Sequence, residues 1–167
     1  AFSEPIVRKM GEINDRPIIF ALSNPTSKSE CTAEQAYTWT EGKAIFVSGS
    51  PFNPVTYEEN TFSPGQGNNA YIFPGVGLGV VVSKSSQVTD DMFIAAADTL
   101  ADLVSEEDLA KGRLYPSLVK IREISCKIAV NVAKQAFENH IARVPQPENL
   151  EKCVRDSMFL PKYKTFV

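Results

Sequence analysis

The sequence is poor in the side chains that build metal centres and disulfide frameworks. It has a single histidine, His140, so a zinc site with several histidine ligands is excluded. The three cysteines, Cys31, Cys126 and Cys153, are odd in number and widely spaced, which fits neither a disulfide framework nor a C-x-x-C metal-binding motif. We therefore expect reduced thiols in an intracellular protein.

Long apolar runs and concentrations of positive charge are also missing from the 167 residues. The longest strongly apolar stretch, 76–82, is too short to cross a bilayer. The 17 basic and 20 acidic side chains give a net charge of −3 without any run of lysine and arginine, so we expect neither a nucleic-acid nor a membrane partner. Residues 1–5 lack the basic and apolar regions of an export signal. We expect a cytoplasmic protein, with the mitochondrial or another organelle matrix as the alternative. Because no initiator methionine is present, we also expect the chain to begin inside a longer gene product.

The first fifty residues show alternating helix-like and strand-like patterns. Residues 1–15 have apolar side chains at helical spacing. Two short apolar runs, 18–22 and 44–48, are typical of strands covered on both faces. Between them, Thr32 and Gln35 form a capping-box pattern that opens a helix. Strand, capped helix and strand predict one right-handed βαβ unit of a parallel sheet.

The rest of the chain is predicted to be a loop followed by helices. Residues 49–69 are rich in proline and glycine, which is typical of a loop, and loops are where function concentrates. We predict helices over 71–82, from 89 to about 104, from 105, over 116–139 and over about 148–158. The apolar face of the second of these is expected to hold Phe93, Ala97, Leu100 and Val104. The pattern indicates an α/β protein.

Three asparagines are the candidate ligand-binding residues. Asn24 follows the first predicted strand, and ligands of open α/β sheets bind beyond the carboxyl ends of the strands, although Asn-Pro also starts ordinary turns. Asn68 and Asn69 lie in a G-x-G-x-x-A spacing, but residues 61–64 do not predict the strand that a dinucleotide-binding fingerprint requires. A primary amide offers a donor and an acceptor without charge, which suits a carboxylate, a hydroxyl or a nicotinamide. An asparagine-rich turn explains the pair equally well.

Several segments, taken in order, resemble the C-terminal part of malic enzyme. They are RPIIFALSNPT (16–26), ECTAE (30–34), FVSGSPF (46–52), QGNNAYIFPG (66–75) and GRLYP (112–116). The resemblance covers the chain from its first helix to about Pro147. It implies a partial doubly wound, Rossmann-like parallel sheet followed by a helical C-terminal region. Residues 1–104 would then be the second half of an NAD(P)-binding domain, and 105–167 the helical region.

The resemblance also implies an activity. Malic enzymes oxidise L-malate with NAD or NADP, release carbon dioxide and pyruvate, and use Mg²⁺ or Mn²⁺. By resemblance, Asn24 would contact the nicotinamide ribose and malate, while Asn68 and Asn69 would border malate and the nicotinamide. L-malate and NAD(P) would be the ligands, and a homo-oligomer the expected assembly.

The family's catalytic tyrosine and lysine, its metal-binding carboxylates and its glycine-rich dinucleotide turn all precede the matching region. We therefore expect no catalytic and no metal-binding residue in this chain, and no activity from the chain alone. A longer reading frame that encodes these groups would support this interpretation, and its absence would support an alternative. That alternative is a non-catalytic binding or assembly module that retains the half-domain fold.

Overall fold

The computed structural model describes residues 1–161, which form two compact units. Residues 162–167, the end of the predicted helical region, lie outside the described residues. The first unit combines 1–68 with 103–116, and the second combines 69–102 with the chain from Ser117 onward. No helix among the described residues is both long and apolar enough to span a membrane.

The elements are numbered in chain order. The helices are α1 (Glu4–Ile13), α2 (Ala33–Trp39), α3 (Phe73–Ser83), α4 (Asp90–Asp102), α5 (Glu106–Ala110), α6 (Ile121–Glu138) and α7 (Leu150–Ser157). The strands are β1 (Ile18–Ala21), β2 (Ile45–Ser48), β3 (Val55–Tyr57), β4 (Asn60–Phe62) and β5 (Gly65–Gln66). Helices α1, α2 and α5 and all five strands belong to the first unit.

The first unit contains the predicted parallel sheet. Its strands lie in the order β1-β2-β5, and both pairings are parallel. The register places Ala21 opposite Ser48 and Val47 opposite Gly65. Strands β1 and β2 contribute buried side chains to one core cluster, which explains why their sequences are continuous apolar runs. The predicted βαβ unit is confirmed.

The capping box that begins α2 forms as its sequence predicts. The backbone N–H of Gln35 donates to the Thr32 hydroxyl at 3.1 Å, and the backbone N–H of Thr32 donates to the Gln35 side chain at 2.9 Å. These bonds satisfy donors that the first turn of a helix otherwise leaves unpaired. The helix then buries Tyr37, whose ring stacks on Phe62 at a centroid distance of 4.4 Å.

An antiparallel hairpin occupies part of the segment predicted as a loop. Strands β3 and β4 pair with Val55 opposite Phe62 and Tyr57 opposite Asn60. The loop between them is the two-residue turn 58–59, in which Glu58 has a φ of 52°. Short hairpin loops of this kind need a positive φ, usually supplied by glycine or asparagine. Because this turn contains neither glycine nor asparagine, the sequence does not predict the hairpin.

Helices α3 and α6 pack closely in the second unit. Gly75 and Gly79 lie on the side of α3 that faces α6, and a Cβ atom on either would lie within 3.0 Å of α6 atoms. Glycine therefore lets the two helix backbones approach each other. The helix predicted over 116–139 is present as α6, and it buries Ile128 and Val132 fully.

The buried face of α4 differs from the predicted one. Met92, Ala96, Thr99 and Leu100 are buried, whereas Phe93 is 41% exposed and Ala97 is exposed. The prediction is confirmed at Leu100 and wrong at Phe93 and Ala97, because alanines occupy 95–97 and make the periodicity ambiguous by one position. Val104 lies beyond the end of α4. Thr99 satisfies its buried hydroxyl by donating to the Ala95 carbonyl at 2.6 Å.

Candidate functional site

The candidate site lies at the carboxyl edge of the parallel sheet. Because β1, β2 and β5 are parallel, the segments that follow them leave the sheet at the same edge. Those segments contain Asn24, Ser50 and Asn68, and the central position of β2 places its loop between the other two. Asn24 and Asn68 are exposed, so both are accessible from solvent within this unit. The sequence predicted the strand end before Asn24 but not strand β5, which precedes Asn68.

The side chain of Asn24 is anchored to the loop that follows β2. The Ser50 hydroxyl donates to Asn24 Oδ1 at 2.5 Å. Beside this bond, Gly49 donates its backbone N–H to the carbonyl of Ala21 at 3.2 Å. A Cβ atom on Gly49 would lie 2.2 Å from the Leu22 carbonyl oxygen and 2.7 Å from Asn24 Oδ1. Glycine at this position is what allows the two loops to come together.

The loop after β2 is itself held by neighbouring side chains. The Ser48 hydroxyl donates to the Ser50 carbonyl at 2.7 Å, and Ser48 is almost fully buried. Gln66 Nε2 donates to the Gly49 carbonyl at 3.2 Å, and the backbone N–H of Gly67 donates to the Ser48 carbonyl at 2.9 Å. Residues 48–50 are thus hydrogen-bonded to β1 on one side, and to β5 and the residue after it on the other. The roles of Ser50 and Gln66 were not predicted because their partners, Asn24 and Gly49, lie 26 and 17 positions away in the sequence. The role of Ser48 was not predicted either, although its partner Ser50 is only two positions away.

The loop after β1 is braced by a carboxylate. Glu30 accepts from the backbone N–H of Ser23 at 3.2 Å and also from the Ser23 hydroxyl. The hydrogen bond from the Ser23 hydroxyl lowers the pKa of Glu30, with smaller contributions from backbone N–H donors. The charged form is therefore the one that the loop stabilises. The peptide bond between Asn24 and Pro25, immediately beyond Ser23, is cis.

Tyr115 packs behind this edge in the same unit. Its ring centroid lies 6.4 Å from that of Phe20, and burial raises the pKa of its hydroxyl. A Cβ atom on Gly67 would lie 3.0 Å from Val47 Cγ1 and 3.1 Å from Leu22 Cδ2, so the segment leading to Asn68 is closely packed as well. These contacts pack the residues on either side of the sheet edge against one another.

Asn69, the third candidate, is the first residue of the second unit. It begins a short 3₁₀ turn over Asn69–Tyr71, and its carbonyl accepts from the backbone N–H of Ile72 at 3.1 Å. This turn leads directly into α3, whose first residue is Phe73. Asn69 is exposed. Its local role is therefore to open the segment that begins the helical unit.

Two features associated with cofactors are not formed by the described residues. Gly65 and Gln66 are themselves strand β5, so the G-x-G-x-x-A spacing does not follow a strand as a dinucleotide fingerprint must. Residues 61 and 62, expected not to form a strand, belong to β4 of the separate hairpin. Within 1–161 no three His, Cys, Asp or Glu side chains are grouped closely enough to hold a metal ion.

A cavity of about 550 Å³ lies at the opposite edge of the sheet. It is lined by residues that precede the strands, including Arg16 before β1, Lys43 before β2 and Ser63 before β5. Several of its basic side chains already have acidic partners, as in the Lys43–Glu41 pair at 3.2 Å. Because ligands of open parallel sheets bind at the carboxyl edge, this cavity is not the candidate site.

Comparison with known proteins identifies the family. A sequence model described as "Malic enzyme, NAD binding domain" matches residues 1–137. The chain belongs to the malic enzyme family. The resemblance found in the motifs is therefore confirmed.

Curated malic enzymes match almost the whole chain. It is 56% identical over 166 residues to the NADP-dependent malic enzyme of Populus trichocarpa, covering 99% of this chain and 28% of that protein. It is 54% identical to the NADP-dependent malic enzyme of Columba livia, covering 100% of this chain and 30% of that protein. The mitochondrial NAD-dependent malic enzyme of Ascaris suum is 53% identical, with 100% and 26% covered. The chain thus spans less than a third of the length of these malic enzymes.

Solved malic enzyme structures have the same fold as this chain. The malic enzyme of Pyrococcus horikoshii superimposes with a TM-score of 0.68 at 24% identity, covering 92% of this chain and 31% of that one. The malic enzyme of Entamoeba histolytica gives a TM-score of 0.69 at 24% identity, with 92% and 28% covered. The expected α/β fold, with its parallel sheet and helical C-terminal region, is confirmed.

Proposed function

We propose that this chain works as part of a malic enzyme. The reaction is the oxidative decarboxylation of L-malate to pyruvate and carbon dioxide, with NAD or NADP as the electron acceptor. The observation that supports it best is the anchored amide of Asn24 at the carboxyl edge of the parallel sheet, in a chain of this family. Relatives with NADP-dependent and NAD-dependent names are nearly equally similar, so we propose NAD(P) without choosing between them.

The three asparagines are proposed to bind the substrate and the nicotinamide end of the cofactor. Asn24 would contact the nicotinamide ribose and malate, and Asn68 and Asn69 would border malate and the nicotinamide. The physical reason lies in the neutral amide. It donates to carboxylate and hydroxyl oxygens, and it adds no charge beside the cationic ring of the oxidised nucleotide. The exposure of all three side chains leaves them accessible.

We propose that residues 1–104 are the second half of an NAD(P)-binding domain and that 105–167 are a C-terminal helical region. The parallel sheet lies entirely in the first range. The described part of the second range, 105–161, contains helices and turns and no strand. The position of the sheet in the first range supports the assignment of ligand binding to residues 1–104.

Divalent metal and acid–base chemistry are proposed to come from other parts of the enzyme. Decarboxylation requires a Lewis acid, here Mg²⁺ or Mn²⁺, and a positioned acid or base. The residues described here do not fit a metal site, because no group of three metal ligands is present among 1–161. We assign no metal-dependent step to this chain, and we propose that it is inactive alone. The complete enzyme is proposed to be a homo-oligomer, in the cytoplasm or in an organelle matrix.

The substitution Asn69→Ala in the complete protein tests the proposed binding role. We expect slower malate turnover with a nearly unchanged midpoint of thermal unfolding, because the change removes ligand contacts rather than core packing. Asn139→Ala is the matched control, since Asn139 is exposed in the same unit and its side chain bonds to the surface groups Asp91 and Gln135. A large fall in the unfolding midpoint with normal kinetics per folded molecule would show that Asn69 is structural.

A further inference from the structure

We propose that Ser50 is a positioning residue that fixes whether the oxygen or the nitrogen of the Asn24 amide points toward the ligand. The Ser50 hydroxyl donates to the amide oxygen and holds it, so Asn24 presents its N–H donors to the ligand. These donors favour a ligand oxygen that accepts a hydrogen bond. The proposal rests on the proposed function, because it assumes that Asn24 contacts malate or the cofactor ribose. The bond between Ser50 and Asn24 exists in the protein whatever the ligand is.

The geometry of the bond gives the amide a direction. At 2.5 Å from oxygen to oxygen, it is a short hydrogen bond from the Ser50 hydroxyl to Asn24 Oδ1. A primary amide has an acceptor on one side and two donors on the other. The bond to Ser50 holds the oxygen toward the loop after β2, so the nitrogen, on the other side of the amide, is the part that faces away from that loop.

The rest of the site holds Ser50 in place. Its backbone carbonyl accepts from the Ser48 hydroxyl at 2.7 Å, and Ser48 is almost fully buried. Its neighbour Gly49 accepts from Gln66 Nε2 at 3.2 Å and approaches Leu22 too closely for any side chain. The Ser50 hydroxyl is thus carried by a loop that is itself held by hydrogen bonds, and a positioning residue requires such support.

The orientation matters because the terminal torsion of asparagine is broad and roughly two-fold. Without Ser50, the amide would be free to turn its oxygen toward the ligand. A carboxylate has acceptor oxygens only, so an amide oxygen facing it would make no hydrogen bond and would repel it. Fixing the donor face therefore favours a ligand rich in acceptor oxygens, such as a dicarboxylate or a ribose hydroxyl.

The kinetic test uses the complete protein with Ser50→Ala, Asn24→Ala and the double variant. We expect Ser50→Ala to lower kcat/KM for malate about 10-fold, which corresponds to about 1.4 kcal/mol, mainly through a higher KM. The double variant should be no worse than Asn24→Ala, because Ser50 acts through Asn24. Asn24→Asp should be worse than Asn24→Ala, since it keeps the bond to Ser50 but replaces the donors with an acceptor.

Ser86→Ala is the control, because Ser86 is exposed and has no place in the site. We expect it to leave kcat and KM unchanged. If Ser50→Ala is as active as the parent protein while Asn24→Ala is impaired, the positioning role is refuted. If the losses of the two single variants add fully in the double variant, Ser50 acts independently of Asn24 and the proposal is likewise refuted.

A spectroscopic test on the 167-residue chain separates this proposal from the proposed function. The side-chain ¹⁵N–H signals of Asn24 report the order of its amide without any ligand. We expect Ser50→Ala to lower the order parameter of that group and to leave the order parameters of other asparagine side chains unchanged. An unchanged order parameter for Asn24 would overturn the proposal. A complete protein inactive toward malate would overturn only the proposed function, since the NMR result would still decide the role of Ser50.

Discussion

The glycines of α3 allow a sharp test of the packing in the second unit. A Cβ atom on Gly79 would lie 2.7 Å from the Ala129 carbonyl oxygen and 2.8 Å from Val132 Cβ. Both atoms belong to the buried face of α6, and one of them is backbone, so Gly79→Ala must displace one helix from the other. Gly77 lies two residues away on the same helix, and a Cβ atom there would have no atom within 4 Å.

These distances set the expected magnitudes. Overpacking a well-packed core costs about 1–3 kcal/mol. Replacing a helical glycine by alanine gains about 1 kcal/mol in helix propensity, and this gain is common to both positions. The difference between the two variants therefore isolates the packing term. We expect Gly77→Ala to raise the free energy of unfolding by about 0.5–1 kcal/mol and Gly79→Ala to fall about 1–3 kcal/mol below it.

Urea unfolding followed by the helical circular dichroism signal measures both variants. The midpoint and slope give each free energy of unfolding, and the slope also checks whether the variant unfolds as the parent does. Equal stability of Gly79→Ala and Gly77→Ala would show that α3 and α6 are not in close contact at Gly79.

Four further predictions concern the cysteines, the exposed strand β1 and nucleotide binding. Burial raises the pKa of Cys31 to about 11, so Cys31 should resist alkylation at neutral pH while half-buried Cys153 reacts first, as peptide mass spectrometry would show. The contribution of buried Cys31 to the free energy of unfolding should be complete below pH 9 and should decline as the pH rises toward 11, because the unfolded chain releases the thiol proton first. We also expect the 167-residue chain to self-associate, because β1 is an edge strand and Ile18 on it is 52% exposed. It should bind NAD(P) weakly, because by the family resemblance the glycine-rich turn that would bind the pyrophosphate precedes the matching region.

Each of these predictions has an outcome that contradicts it. Alkylation of Cys31 at the same rate as Cys153 would show that the α2 end of the core opens readily. Light scattering and nucleotide titration at several protein concentrations test the association. A monomer that binds NAD(P) at micromolar concentration would show that the chain is a self-sufficient module.

The elements that the sequence predicted correctly are those with strong local signals. The capping box of Thr32 and Gln35, the apolar runs of β1 and β2 and the helical pattern of α6 each depend on residues within one element. The hairpin of β3 and β4 was missed because its turn is formed by glutamates rather than by glycine or asparagine.

The candidate site was predictable only in part, for a related reason. Asn24 could be placed at a strand end because that position depends on the adjacent apolar run. Its bond to Ser50 could not be predicted, since the two residues are 26 positions apart and meet only through the parallel register of β1 and β2. The space that Gly49 leaves for this contact is likewise a tertiary feature that local sequence does not reveal.

Product analysis of the complete protein that contains this chain decides whether it oxidises and decarboxylates malate. L-malate is supplied with Mg²⁺ and either NAD⁺ or NADP⁺, and pyruvate, carbon dioxide and the reduced nucleotide are measured together. We expect equal amounts of the three products from the complete protein, a clear loss with Asn24→Ala, and no product from the 167-residue chain alone. Failure of the complete protein to consume malate, or undiminished turnover after Asn24→Ala, would contradict this expectation.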